Sequence, residues 1–180
     1  MTTRNSRPAV QGSYPSARVA GFPGQLADMR SVSRDPHGTY VCESDVHVGR
    51  AVVKGAVSVN DYDLRPFAVK APLADATAAQ LVGIVAYTYA AEVDAQGWAF
   101  VGEKSLAAVI EPGLNVLVYV GKPEDLNIVH GEKVFVAISA TNDAQLPVGC
   151  FTNTAGDGLL EWPDVTWHKQ VGPQLAVINI

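Results

Sequence analysis

A chain of 180 residues and 19.0 kDa, 48% hydrophobic, is long enough for one well-buried core and too apolar to be wholly disordered. Its formal charge of −5 is uneven: five arginines against the single Asp28 leave residues 1–34 at +4, so the remaining residues carry −9. An acidic body excludes a phosphate-tracking surface and therefore nucleic acid as its partner. No cationic leader precedes an apolar run, and no apolar stretch nears the roughly 20 residues that cross a bilayer, so neither a signal peptide nor a membrane span is expected.

Residues 1 to about 30 lack sustained periodicity and are punctuated by Pro8, Gly12, Pro15, Gly21, Pro23 and Gly24. The apolar side chains of Val10, Tyr14, Val19, Phe22 and Leu26 exceed what a solubilising tail needs, which suggests an extended basic arm over residues 1–34 before a β-rich body over 35–180. The principal structural alternative for "AGFPGQLAD" is a packed strand that leads into the protein's own core. Strand-like sequence begins at "TYVCESDVHVGRAVVKG", where Gly49 interrupts partial alternation and marks a bulge or a close backbone approach. "NDYDLRP" reads as a loop and "FAVKAPL" as a short strand stopped by Pro72.

In "DATAAQLVGIVAYTYAAEVD" the alanines favour a helical turn near Asp75 or Thr77, and the β-branched and aromatic residues favour a strand from Leu81 to Tyr89. "GWAFVGEKSLAAVIEPG" predicts a strand pair around a charged turn, and "LNVLVYVG" (114–121) and "EKVFVAISA" (132–140) two further strands. A short strand is expected at 148–151, and the apolar run 175–180 predicts a final strand inside the body. Eight or more short strands with turn-rich connections define an all-β class, an antiparallel jelly-roll-like sandwich or barrel.

Chemistry-bearing patterns are sparse. His37, His47, His130 and His168 are dispersed without metal-ligand spacing, and Asp61 and Asp63, with Glu43 and Asp45 loosely beside them, lack the spacing of a calcium loop. Phosphate-cradling glycine motifs, a nucleophile elbow and a triad pattern are absent from the sequence, so no catalytic residue, cofactor or metal is expected. Cys42 and Cys150 are expected as buried free thiols. Asp157 between two glycines is read as turn geometry. Trp98, Trp162 and Trp167 could form a carbohydrate platform if two rings share an exposed face, with buried packing as the default.

The combination "RPAVQGSYPSARVAGFPGQLADMRSVSR" followed by "DVHVGRAVVKG" resembles the structural cement, or capsid decoration, proteins of tailed bacteriophages. Gly83–Val85 and the glycine-rich turns from Gly149 to Gly158 are compatible with that pattern, whereas "ADATAAQ" and "EWPDVTWHKQ" depart from it. The resemblance implies a noncatalytic virion protein, made in the host cytoplasm, on the outer surface of the icosahedral head. Its implied partners are the major capsid protein and neighbouring copies of itself, as a dimer or trimer. Arg7, Tyr14, Arg18, Phe22 and Leu26 are the candidate capsid or subunit contacts. Two alternatives stay open: a β-sandwich binding module for a ligand such as carbohydrate, and a small β-barrel enzyme whose pocket gathers His47 or His130.

Overall fold

The computed structural model describes residues 21–28, 37–56, 67–88, 91–113 and 116–180. The strands are β1 (Leu26–Asp28), β2 (His37–Cys42), β3 (Val46–His47), β4 (Ala51–Lys54), β5 (Ala68–Lys70), β6 (Leu81–Val85) and β7 (Glu92–Val93). They continue with β8 (Ala99–Val101), β9 (Leu106–Ile110), β10 (Leu117–Gly121), β11 (Lys133–Ala137), β12 (Phe151–Thr152), β13 (Leu159–Gln170) and β14 (Leu175–Asn179). One 3-10 turn, Ala78–Gln80, precedes β6, and there the Gln80 Oε1 accepts the Thr77 N–H at 2.8 Å.

The strands form three sheets. Six pair in the order β1-β10-β14-β13-β11-β12, five close a ring in the order β2-β5-β4-β6-β9, and three pair as β3-β8-β7. Pairing is antiparallel throughout except between β2 and β5, which run parallel. The fold is thus all-β, largely antiparallel and built from several sheets.

Side-chain alternation explains how the layers share cores. On β9, Ala107 and Val109 join a cluster with Cys42, Val52 and Val69 of the other ring strands and Val46 and Val101 of the three-stranded sheet. The intervening Ala108 and Ile110 join a larger cluster with Val118, Val134, Phe151, Trp167 and Ile178 of the six-stranded sheet. A period of two therefore serves two cores from one strand.

The C-terminal run lies in the body, as its apolarity predicts: β14 sits between β10 and β13, with Ala176, Val177 and Ile178 fully buried. Buried on both faces, it reads as a continuous hydrophobic run rather than an alternating one. Strand β13 begins earlier than "DVTWHKQ" suggested and contains Pro163. The pairing register with β11 jumps from Val134↔Trp162 to Lys133↔Thr166, so Pro163, Asp164 and Val165 bulge out, with Asp164 at φ 64°. A bulge is where a strand tolerates a residue that has no N–H to give to the ladder.

Three further expectations change. The short strand near 148–151 forms at Phe151–Thr152 instead. Strands β8 and β9 flank the charged turn but join different sheets rather than each other. Strand β6 ends at Val85, because the Tyr87 N–H leaves the ladder and donates to the carbonyl of Gly24 at 2.8 Å. The loop "NDYDLRP" and the strand ends at 89 and 114 lie outside the described residues.

Candidate functional site: the glycine-proline turn and its groove

In "GFPG" the sequence prescribes a turn. Proline favours the second position of a type II turn and glycine the third, where φ is positive. Gly24 has φ 80°, and the Gln25 N–H closes the turn on the Phe22 carbonyl at 3.0 Å. The Gln25 side chain turns back to accept the Phe22 N–H at 3.2 Å.

This turn is fastened to the body by backbone groups. The Gly24 N–H donates to the Tyr119 carbonyl at 2.8 Å, and the Tyr119 N–H donates to the Gln25 carbonyl at 2.9 Å. With the bond from Tyr87 to Gly24, three tertiary hydrogen bonds hold two residues, each contributing roughly 0.5–1.5 kcal/mol. So close an approach leaves no room for side chains. A Cβ on Gly24 would lie 2.5 Å from the Val85 carbonyl oxygen, and one on Gly49 (φ 75°) would overlap Pro23. Of the two expectations for Gly49, close approach is the one realised, and its partner is the turn itself.

Phe22 and Leu26 therefore have different positions. Phe22 points outward, 52% exposed, with its ring stacked on Tyr87 at 5.4 Å between centroids and 17° between planes. Leu26, opposite Val118, is half-buried against the large core cluster. Arg7, Tyr14 and Arg18 lie outside the described residues, as do Asp61 and Asp63.

Beside the turn runs a mostly apolar groove of about 740 Å³, whose walls include Gly21, Pro23, Val48, Trp98, Leu146 and Pro173. Trp98 is 54% exposed, with the Arg50 guanidinium carbon 5.9 Å from its ring centroid. On another wall Lys122 is buried, and its Nζ donates to the carbonyls of Pro123 (2.9 Å), Glu124 (3.3 Å) and Leu126 (2.7 Å). Desolvation lowers its pKa, opposed by Asp125 and Glu124. All three ammonium protons are engaged by the backbone, so this cation staples a loop rather than offering itself to a ligand.

The remaining chemistry-bearing residues have structural partners. His47 Nε2 lies 3.0 Å from Asp94 Oδ2, and His130 Nδ1 lies 3.0 Å from the His168 carbonyl oxygen. Neither histidine lines the groove. Glu43 accepts the Ala56 N–H, Asp45 the Glu103 N–H, and Asp143 the N–H of Asp157 at its glycine turn. No group of three His, Cys, Asp or Glu among the described residues is placed to hold a metal ion. Both cysteines are free thiols, but only Cys42 is buried; Cys150 is half-buried at the groove. Burial pushes the Cys42 thiol up to about 11, with Asp45 adding to the rise. Trp162 and Trp167 are buried in the large core, so the two exposed rings that a sugar platform needs are not supplied by the tryptophans.

The sequence exposed the turn through its glycine and proline spacing. It did not reveal the groove, whose walls come from segments more than a hundred residues apart.

The same architecture occurs in a virus shell. A chain from the capsid of Myoviridae phage XM1 aligns with a TM-score of 0.62 at 17% identity, covering 95% of this chain and 96% of that one. The fold is thus one found in a tailed-phage capsid. Residues 10–180 match the family described as structural cement protein (E217 gp24/Pam3 gp6), and the chain belongs to that family. No curated protein matches the chain. It is a noncatalytic structural protein of the virion, associated with the outer surface of the capsid.

Proposed function

We propose that the protein reinforces joints between major capsid subunits by laying the basic segment upstream of Gly21 across the head surface, with residues 21–28, fixed to the β-rich body, as the root of that arm. The observation that carries this reading is the outward presentation of Phe22 from a turn that is itself bolted to the body. An aromatic held on a rigid base loses little entropy when a partner covers it, and such residues are the usual hot spots of an interface. Leu26 anchors the root, Phe22 and Tyr14 bury apolar surface against the shell, and Arg7 and Arg18 steer the arm over its acidic patches. Proline at positions 8, 15 and 23 reduces the freedom lost on ordering. Neighbouring copies, as dimers or trimers, add avidity on one shell. In this reading the six-stranded sheet and the ring are the two layers of a jelly-roll-like sandwich.

The test is saturable binding to assembled, expanded heads. Removal of residues 1–27 is unsuitable because it deletes the turn and most of β1, whose contacts belong to the body. Phe22→Ala leaves the backbone bonds in place and is expected to weaken head binding by about 10-fold or more, the ordinary scale for an interface hot spot. Arg7→Ala with Arg18→Ala is expected to weaken it further at low salt than at high salt. Unchanged affinity in both variants would remove the arm from the attachment mechanism.

A further inference from the structure

We infer that the groove beside the turn docks an extended segment of the capsid shell that carries apolar side chains and one carboxylate, with the carboxylate paired to Arg50. The inference deepens the attachment reading above and rests on it: it adds which surface of the body takes hold of the shell, and the chemistry of what it takes.

The charge of Arg50 selects the occupant. Arg50 is half-buried on the groove wall, and its guanidinium lies over the Trp98 ring. Of the five N–H donors on that group, one reaches an acceptor among the described residues, the Val148 carbonyl oxygen, and only at 3.5 Å. No described carboxylate is paired with it, whereas Lys104 and Lys133 are paired with Glu103 and Glu161 at 3.1 and 2.8 Å. Glu124 also lines the groove, but it is exposed and its charge acts on Lys122. A purely apolar occupant would bury the guanidinium unpaired, at a cost in free energy. A carboxylate offsets that cost and can accept two parallel N–H bonds from the fork.

The rest of the groove asks for apolar contact. Trp98, Pro23, Pro147 and Pro173 face a volume of about 740 Å³, which takes a few side chains of an extended segment rather than a folded element. The indole is presented on a braced turn. Asp94 Oδ1 accepts the N–H groups of Gln96 at 2.9 Å and Trp98 at 2.8 Å, and its Oδ2 lies 3.0 Å from His47 Nε2. A platform fixed in advance loses little freedom when it is covered. Position names the shell as the source: Gly21 and Pro23, on either side of Phe22, are part of the groove wall, so a capsid surface that covers Phe22 lies against the groove's rim.

Saturable binding to assembled, expanded heads is measured for Arg50→Gln and Trp98→Ala, with near-ultraviolet dichroism of the buried Trp162 and Trp167 as the check on fold. Each variant is expected to lower affinity about 10-fold or more, and Arg50→Lys, which keeps the charge and loses the fork, to retain part of it. The unaltered chain gives a second readout that needs no variant to fold. Cys150 lines the groove and is half-buried, whereas Cys42 is 1% exposed, so alkylation of Cys150 by iodoacetamide, read by mass spectrometry, reports occupancy. Alkylation is expected to slow several-fold on heads. Unchanged affinity in either Arg50→Gln or Trp98→Ala, or unchanged Cys150 alkylation on heads, overturns the inference. Alkylation that slows in the free chain as its concentration is raised also overturns it, by assigning the groove to a second copy. Phe22→Ala separates the two readings: weaker head binding in that variant alone keeps the arm root and rejects the groove, and weaker binding in the groove variants alone does the reverse.

Discussion

The β13–β14 hairpin and the glycine-proline turn are both fixed parts of the body, but different physics holds them. The hairpin is held by burial: Trp167, Val165, Ala176, Val177 and Ile178 are withdrawn from water, and β14 has a strand on either side. The turn is held by proximity. It buries few side chains, and its fixity comes from two positive-φ glycines, three tertiary backbone hydrogen bonds and the absence of any Cβ where the chains meet. A buried hairpin can lose a methyl group and relax. A contact built on backbone approach has no flexible atom to give, so small insertions there act locally and abruptly.

The difference is broken most strongly from the hairpin side. Trp167→Ala is expected to cost about 3–5 kcal/mol, read as a lower midpoint of denaturant unfolding with unchanged cooperativity. Trp167→Phe sharpens the point. The indole Nε1 is buried with no hydrogen-bond partner, so removing it abolishes an unsatisfied donor and offsets part of the packing loss. The phenylalanine variant should therefore unfold well above the alanine variant.

On the turn, Gly24→Ala is expected to cost about 1–3 kcal/mol, because alanine is disfavoured at φ 80° and its Cβ meets the Val85 carbonyl oxygen at 2.5 Å. The effect should be confined. Amide exchange of Gly24, Tyr87 and Tyr119 accelerates while the β13–β14 amides keep their protection, since local opening leaves the buried sheet closed. Equal acceleration in both regions would show that the turn is part of the global folding unit.

These two regions also differ in how far they can be read from residues alone. The C-terminal strand announces itself, since "LAVINI" is an apolar run and a run of that kind must be buried. Glycine and proline announce the turn in "GFPG" and the close approach at Gly49, because their backbone requirements are local. What stays hidden is which segments meet. That Gly24 fits against Gly49, or that Trp98 lines one groove with Pro147 and Pro173, depends on pairings across long sequence separations that no local period encodes. The bulge at Pro163 was hidden for the opposite reason: its proline argues locally against the long strand that tertiary pairing nonetheless builds. The family resemblance was legible without the groove, because it rests on local sequence such as "GFPGQLAD" and not on which distant segments meet.

The smallest expected effect is one of pH, and it tests whether the buried sheet has a soft margin of its own. His168, near the end of β13, packs its ring edge-on to His130 at 5.2 Å between centroids. Desolvation, then the charges of His130 and Lys169, hold its pKa below the ordinary histidine value of 6.5. The unfolded chain therefore binds a proton at this site more readily than the folded one, so stability rises with pH through this window. The contribution is complete above pH 6.5 and is lost as pH falls from there through the depressed folded value. His168→Gln should flatten that part of the stability profile. The acid limb below it should survive, because there Glu132 is held low by hydrogen bonds from Asn153 and the Val129 N–H against opposing desolvation, and its contribution fades only as pH drops below 4.5. A slope just below pH 6.5 that persists in the glutamine variant would assign the titration to another group and leave the histidine pair as packing alone.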